Sequence, residues 1–327
     1  MRSAIDKNNY KVYSAKDFPA YLPKLNQLYD DLFTGGKGFR SYLVNEVASH
    51  LKLNAKTIHL LSQTIEFIHN ASLLHDDLID EALLRRGKTA AWKKYSTDYA
   101  VLAGDYLLAR VMVNLSEHGN VQLIHYTAQM ISDLVEGEWL QDSIIGDYFV
   151  SVDQLDRIHN YKTASLFKWC LKAPFIAAEE KNSEMIQTLE EMGTILGVLF
   201  QRSDDLLDYD IRNTEGKLIL GDLLSGYLNS FGAFITFHLQ KEQIDLLIKS
   251  KELSEFVNHL GGPEKMASYL REFDDQNAKL IQLYHHHLGE LAEKLKPEHQ
   301  GMIEALKPLA DLLYWRKQKP AELSSNG

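Results

Sequence analysis

Apolar residues recur at three- and four-residue spacing along almost the whole of this chain, a rhythm that leaves little room for anything but helices. Leu60, Leu61, Ile65, Phe67, Ile68, Leu73 and Leu74 form one run. Val101, Leu102, Leu107, Leu108, Val111 and Leu115 form a second, and Ile195, Leu196, Leu199 and Leu206 a third. These runs are apolar on more than one side, which predicts helices buried inside a bundle. Alternating strand patterns are scarce, and no Pro/Ser-rich linker or fixed-period repeat divides the chain. We therefore expect one all-α domain over 1–327, broken at Gly35-Gly36, Arg86-Gly87, Gly146-Asp147 and Asn213–Gly216. The stretch from about Asp210 to Gly226 reads as an ordered loop, and residues from about 320 to 327 as a frayed tail.

Composition narrows the function. With 327 residues and 45% hydrophobic content the chain can bury a large core, and 7 prolines and 19 glycines argue against a loop-rich or disordered protein. A net charge of −10 speaks against a nucleic-acid partner, which would need a basic face. It does not exclude small anions, because carboxylates reach a diphosphate through a divalent metal. The single cysteine, Cys170, rules out disulfide scaffolding and Cys-based zinc sites. The first residues, MRSAIDKNNYKVYSAK, lack the apolar core of a secretory signal, and no apolar run has the length of a membrane span. The expectation is a soluble, cytoplasmic enzyme. Three adjacent histidines, His285–His287, point in different directions on a helix and read as surface rather than as a metal site.

The chemistry concentrates in two Asp-Asp-x-x-Asp motifs. Asp76 and Asp80 are four residues apart and stack on one helix face, with Asp77 turned about 100° away. Asp204, Asp205 and Asp208 repeat the spacing. Carboxylates gathered within one turn repel each other unless cations sit among them. Two chance matches in one chain have odds of order 0.003. Both motifs also follow apolar residues directly, where a solvated charge run does not belong. Magnesium takes oxygen ligands and shares substrate phosphates. Two such helix faces, opposed across a bundle, would hold several magnesium ions and one diphosphate.

With these motifs in place, the sequence resembles the all-trans polyprenyl diphosphate synthases. The likeness runs from about Gly35 to Leu223. Its segments are GGKGFR (35–40), FIHNASLLHDDLIDEALLRRGK (67–88), LAGDYLL (102–108), EGEWLQ (136–141), KTASLF (162–167), LFQRSDDLLD (199–208) and GK…GDL (216–223). The resemblance implies the isoprenoid synthase fold, a single-domain bundle of mostly antiparallel helices around a central cavity. It implies a prenyltransferase, of the EC 2.5.1 type, that joins isopentenyl diphosphate to an allylic diphosphate. It assigns magnesium, three ions with the allylic diphosphate bound, to Asp76, Asp80 and Asp204, with Asp77 and Asp208 in support and Asp205 among the catalytic residues. Lys37, Arg40, His69 and Arg86 fall to isopentenyl diphosphate. Arg85, Lys162, Thr163, Gln201 and Lys217 fall to the allylic diphosphate, Lys162 also steadying the cation. Lys168 has no such assignment and reads as surface. A homodimer is implied, with at most transient contact to a membrane surface.

The sequence also departs from the family. Gly38 stands where Arg is usual, Ser41 where Pro is, and Tyr227 where a substrate-side Lys is. Arg202 replaces an apolar residue and is placed to pair with Asp205. By the resemblance, the product grows beside the helix of the first motif, past Ser72, Ala71, Ile68 and Ile65. Short-chain members carry an aromatic at the first two of these places. Small residues there imply a medium- to long-chain product, beyond geranylgeranyl diphosphate. Two other readings stay open: a geranylgeranyl diphosphate synthase, and one subunit of a heteromeric synthase. A terpene cyclase or head-to-head condensing enzyme would not need the basic set at Lys37, Arg40 and Arg86.

Overall fold

The computed structural model describes residues 17–33, 38–85, 88–210 and 218–314. The first stretch of chain builds α1 (Pro23–Phe33), α2 (Phe39–His50) and α3 (Ala55–Ile79). A two-residue hairpin follows, β1 (Leu84–Arg85) against β2 (Lys88–Thr89), antiparallel with Arg85 opposite Lys88. Then come α4 (Ala91–Lys94), α5 (Thr97–His118), α6 (Val121–Asp142) and α7 (Val152–His159). A π-helical turn, Asn160–Ala164, leads into α8 (Ser165–Ala177), and α9 (Ser183–Asp205) ends in a 3-10 turn, Leu206–Tyr209. The remainder is α10 (Gly221–Leu224), α11 (Ser230–Thr236), α12 (Lys241–Leu247), α13 (Leu253–Leu260), α14 (Pro263–Lys294), α15 (Gly301–Leu306) and α16 (Leu309–Leu313). The all-α expectation is borne out. No described helix is long and apolar enough to cross a membrane.

Polar residues set the helix starts. Asn54 accepts the Thr57 N–H at 3.0 Å, and Ser96 accepts that of Tyr99 at 3.2 Å. Ser151 and Gln154 form a reciprocal capping box at the start of α7. Each such cap stabilises its helix by about 1 kcal/mol. One expectation needs correcting. Part of the stretch read as loop is helical at Gly221–Leu224. The Asp208 carboxylate accepts the Asp222 N–H at 2.7 Å, and its carbonyl accepts that of Leu220 at 2.9 Å, so the turn is anchored from outside its own sequence.

The described chain packs as two compact units. One draws on residues up to 134, 166–190 and 295–302; the other on 135–165, 191–294 and 303 onward. In the first unit α2 and α5 flank α3. Leu43, Val44 and Val47 of α2 join Leu61, Ile65, Phe67 and Ile68 of α3 and Leu107 and Val111 of α5 in the core, all at most 1% exposed. Burial of each such side chain contributes about 1.5–3 kcal/mol. Helices α3 and α5 approach closely because Gly104 has no side chain: a Cβ there would lie 2.2 Å from the His75 ring. Contrary to the sequence expectation, α5 is not buried all round. Leu102 is 65% exposed and Val113 41%. Leu108, Ala109 and Met112 line a shallow apolar groove with Ala128 and Ile131 of α6. Spacing shows which faces are apolar, not what covers them.

Lys168 also differs from expectation. It is only 8% exposed, and burial pulls its pKa down. Its neighbour Lys172 pairs with Glu190 and lies 4.6 Å above the Tyr126 ring. A Lys stem packs well on apolar surface, so a lone Lys in a sequence does not announce its burial.

The second unit has an aromatic core. Phe231 of α11 meets Phe273 of α14 and Tyr209 at ring separations of 5.3 and 5.0 Å. The histidine run lies on α14 and is not uniformly surface. His285 contacts Asp311 at 3.0 Å and His287 contacts Glu290 at 2.9 Å, both rings partly covered, while His286 is exposed. His286 and His287 share the Glu290 carboxylate, while His285 turns to Asp311.

Candidate active site

The first acidic motif closes α3. Asp76 and Asp77 occupy its last turn and Asp80 is its C-cap, the Asp80 N–H bonding the Asp76 carbonyl at 2.8 Å. A helix C-terminus carries partial negative charge, so each carboxylate placed there works against the helix by about 0.3–1 kcal/mol. Carbonyls and carboxylates together make a pole that favours a cation. Asp77 is buried and takes the Arg85 guanidinium, with Nε at 2.7 Å. Burial opposes the Arg85 charge, but Asp77, Asp76 and Asp80 outweigh it and hold its pKa above the ordinary value. Arg85, assigned by resemblance to the allylic diphosphate, thus binds the motif itself.

In the same unit, Arg40 of α2 donates from Nη1 to His69 Nε2 of α3 at 3.1 Å, which requires the Nδ1–H tautomer of the ring. Two residues assigned to isopentenyl diphosphate are therefore neighbours, and Arg40 also faces the Phe167 ring at 5.6 Å. The departures nearby have a local cause. Gly38 caps α2 with φ +57°, a conformation that would strain the Arg usual at this place. Ser41 bonds the Gly38 carbonyl at 3.0 Å through Oγ and Glu66 Oε1 at 3.2 Å through its N–H, a bond the usual Pro could not make. Along α3, Ala71, Ile68 and Ile65 are buried; Ser72 is partly exposed and bonds the His69 carbonyl at 2.9 Å. Lys37, Arg86 and Lys217 lie outside the described residues.

The second motif closes α9, and here the geometry differs from that of the first. The α-helix ends at Asp205 and Asp208 falls in the 3-10 turn, so the motif does not repeat a single α-helical face. Asp204 is partly exposed, whereas Asp205 and Asp208 are each 1% exposed. Asp205 accepts from Ser230 N–H and Oγ–H at 2.9 and 2.6 Å and from Gln201 Nε2 at 2.9 Å. Asn229 donates to the Asp205 carbonyl at 3.2 Å and to Asp222 at 3.0 Å. These bonds give Asp205 and Asp208 structural work and leave Asp204 the more accessible carboxylate.

Lys162 and Thr163 sit in the π-turn, a feature that often marks functional sites. Thr163 donates to Gln201 at 2.9 Å, joining two residues named together from the sequence. Lys162 meets Glu138 at 2.5 Å and Gln141 at 3.2 Å. Gly137 makes that approach possible, since a Cβ there would lie 2.7 Å from Lys162 Cγ. Glu138 carried no role in the sequence reading; its only signal was its place in EGEWLQ. Tyr227 is held largely out of water, and burial, then Asp205, Asp222 and Glu138, pushes its phenol pKa up, so it is a neutral hydroxyl where a cation is usual. Arg202 does not pair with Asp205 as expected. It bonds Asp156 of α7, because residue 202 faces the unit's interior.

Among the described residues no three carboxylate, imidazole or thiol side chains converge on one ion. Magnesium does not need such a cage, since one or two carboxylates, waters and substrate phosphates complete its shell. The donor set at the two helix ends, hard oxygens on negative poles, fits that ion.

The profile of the family described as polyprenyl synthetase matches residues 22–258. A chloroplastic solanesyl-diphosphate synthase 2 of Oryza sativa subsp. japonica is 34% identical over 255 residues, 76% of this chain and 62% of that protein. Octaprenyl diphosphate synthase of Escherichia coli (strain K12) is 32% identical over 209 residues, 62% of this chain and 63% of that protein. The chain thus spans a little over three-fifths of the length of these curated relatives. A crystal structure of a decaprenyl diphosphate synthase from Rhodobacter capsulatus superposes with a TM-score of 0.79 at 25% identity, covering 91% of each chain. The profile match takes in both acidic motifs and more than half of the sequence: the chain belongs to the polyprenyl synthetase family.

Proposed function

We propose that this protein is a trans-prenyltransferase that lengthens an allylic diphosphate by head-to-tail 1′-4 condensation with isopentenyl diphosphate. The observation that carries the proposal is the placing of each acidic motif at the C-terminal pole of a long helix, in a chain of this family. The product we assign is a medium- to long-chain all-trans polyprenyl diphosphate, in keeping with small Ala71 and Ser72 and with the solanesyl and octaprenyl relatives.

Asp76, Asp80 and Asp204 are the residues that would hold magnesium. When bound, the ions neutralise charge on the allylic diphosphate as its C–O bond breaks. Lys162 and Thr163, backed by Gln201, orient that diphosphate, and Lys162 places its charge beside the departing group. Arg40 and His69, with Lys37 and Arg86, grip isopentenyl diphosphate, which is not ionised and so needs binding without activation. Its double bond attacks the allylic carbon, a C–C bond replaces the broken C–O bond, and one proton leaves. By the resemblance, the released diphosphate takes that proton, so no protein base is required.

The test is incubation with magnesium, labelled isopentenyl diphosphate and allylic primers of increasing length, followed by sizing of the products. Absence of incorporation with every primer, where a related synthase works, would refute the assignment. We also propose a homodimer formed through the apolar groove of α5 and α6, supported by exposed Leu102 and Val113 beside it. Leu108→Glu should shift the sedimentation coefficient from that of a dimer to that of a monomer; a wild-type monomer overturns this part.

A further inference from the structure

The second unit contains a partly buried charged network that the reaction does not use, with Arg202 inside and the Asp156 side chain 31% exposed. Arg202 is 5% exposed and lies two residues before Asp204 on α9. Its Nε and Nη2 donate to the two oxygens of Asp156 on α7, at 3.2 and 2.7 Å. Its Nη1 donates to Asn277 of α14 at 3.0 Å, and Phe273 stacks 5.6 Å from the guanidinium. All three nitrogens of the fork are thus committed, to two other helices. His159, 3% exposed, sits beside the pair with its ring nitrogens 3.9 Å from Asp156 and 4.0 Å from Asp205, and neither nitrogen has a hydrogen-bond partner.

The position of this network matters more than its strength. Asp156 lies six residues before Lys162, with the π-turn starting between them. The same segment touches α9 at Thr163–Gln201 (2.9 Å) and at Asn160–Thr194 (3.4 Å). It is pressed against α9 so closely at Ala164 that a Cβ on Gly197 would fall 2.2 Å from the Ala164 Cα. The Arg202–Asp156 fork is the charged, two-bond member of this set, and bidentate guanidinium–carboxylate pairs fix orientation as well as distance. A partly buried ion pair of this kind is weak evidence of stability, being screened on its Asp156 side and replaceable by packed apolar residues on the other, so its use lies in geometry.

We propose that Arg202, through Asp156, is a positioning residue that sets Lys162 and Thr163 against the Asp204 carboxylate. This rests on the prenyltransferase reading. Neither residue touches substrate; they fix the two strands of chain that do.

The experiment compares Arg202→Lys and the double variant Arg202→Met/Asp156→Leu with the wild-type full chain. Lys keeps the charge but loses the fork; the double variant removes both charges and keeps the volume, so no orphaned carboxylate is left to unfold the site. The expected result is a KM for the allylic diphosphate and a magnesium half-saturation raised about tenfold in both variants. The KM for isopentenyl diphosphate should stay within about twofold, and the melting temperature of the double variant near that of the wild type. Wild-type allylic KM and magnesium dependence in the double variant would overturn the proposal, as would an equal rise for both substrates. If the wild type transfers no prenyl group, the functional reading fails by itself. The clamp is then judged by calorimetry with magnesium and inorganic diphosphate: about tenfold weaker binding in the variants supports it, and unchanged binding refutes it.

Discussion

Glu138 holds the ammonium of Lys162 at 2.5 Å, with Gln141 one turn further along α6 at 3.2 Å. A lysine is a flexible point charge, and a carboxylate partner limits where that charge can go. Glu138→Gln keeps the shape and a neutral acceptor but gives up the stronger, charge-assisted bond. The expected outcome is an allylic KM raised about fivefold, from roughly 1 kcal/mol of lost positioning, with little change in melting temperature. Steady-state kinetics varying one substrate at a time checks it; an unchanged allylic KM would separate Glu138 from Lys162.

The acidic helix ends predict unequal effects on activity and on stability. Asp76→Ala and Asp204→Ala should each lower kcat/KM by roughly 10²- to 10³-fold, the range seen when a group stabilising developing charge is lost. Yet in the presence of a chelator Asp76→Asn should melt close to the wild type, because removing about 0.3–1 kcal/mol of unfavourable charge from the α3 C-terminus is offset by lost attraction to Arg85. Added magnesium should raise the wild-type melting temperature and leave the variant nearly unmoved. If both alanine variants stay active, the metal assignment is wrong.

Product length is tested best at Ser72. Ala71 is fully buried, so Ala71→Phe carries about 1–3 kcal/mol of overpacking in addition to any effect on the product. Ser72 is partly exposed, so a larger side chain there is less confined than at Ala71. Ser72→Phe should shorten the product by several isoprene units while the protein melts normally, read by chromatography of the dephosphorylated alcohols. The wild-type chain length in both variants would remove α3 as the ruler.

Cys170 gives a pH signature. It is fully buried, and burial, ahead of Glu66 and against Arg40, raises its thiol pKa well above the ordinary range. The folded protein therefore retains the proton while the unfolded chain loses it above its usual pKa of about 8.5. Stability from this group is fully present below that pH and is lost as pH rises, by about 1 kcal/mol between pH 8.5 and 9.5. Denaturation curves across that window should show a loss about 1 kcal/mol larger in the wild type than in Cys170→Ala, the remainder belonging to buried tyrosines such as Tyr126 and Tyr209. A thiol reagent at pH 8 should label the chain only after unfolding; rapid labelling of the native protein contradicts this.

Helices and both acidic motifs were legible because each rests on a local rule: apolar spacing for the one, four-residue carboxylate spacing for the other. The grouping of Arg40 with His69 and of Thr163 with Gln201 came through the family resemblance, not through spacing, since 29 and 38 residues separate them; their direct contacts were not read. What escaped was set by the far side of a contact. Arg202 has an acidic residue three positions on, and the sequence offered that near partner; the fold supplies Asp156, 46 residues away, because residue 202 points inward. Lys168 is covered by packing that its own neighbours do not reveal, and the turn at Gly221–Leu224 depends on Asp208. Asn229, which ties the Asp205 carbonyl to Asp222, had no role read for it, although it stands two residues after the departure at Tyr227.

The contact of Gly197 with Ala164 has a consequence for how such an enzyme diversifies. Where Gly197 meets Ala164, neither residue can be enlarged without moving a backbone, so at that point the segment bearing Lys162 offers mutation little to adjust. On the proposed reading, the part that handles the diphosphate is fixed at this contact. On the same reading, variation in what is made is left to α3, where Ser72 is partly exposed. Descendants of this chain would change their product by walking along one helix, while the chemistry at the head of the substrate stayed as it is.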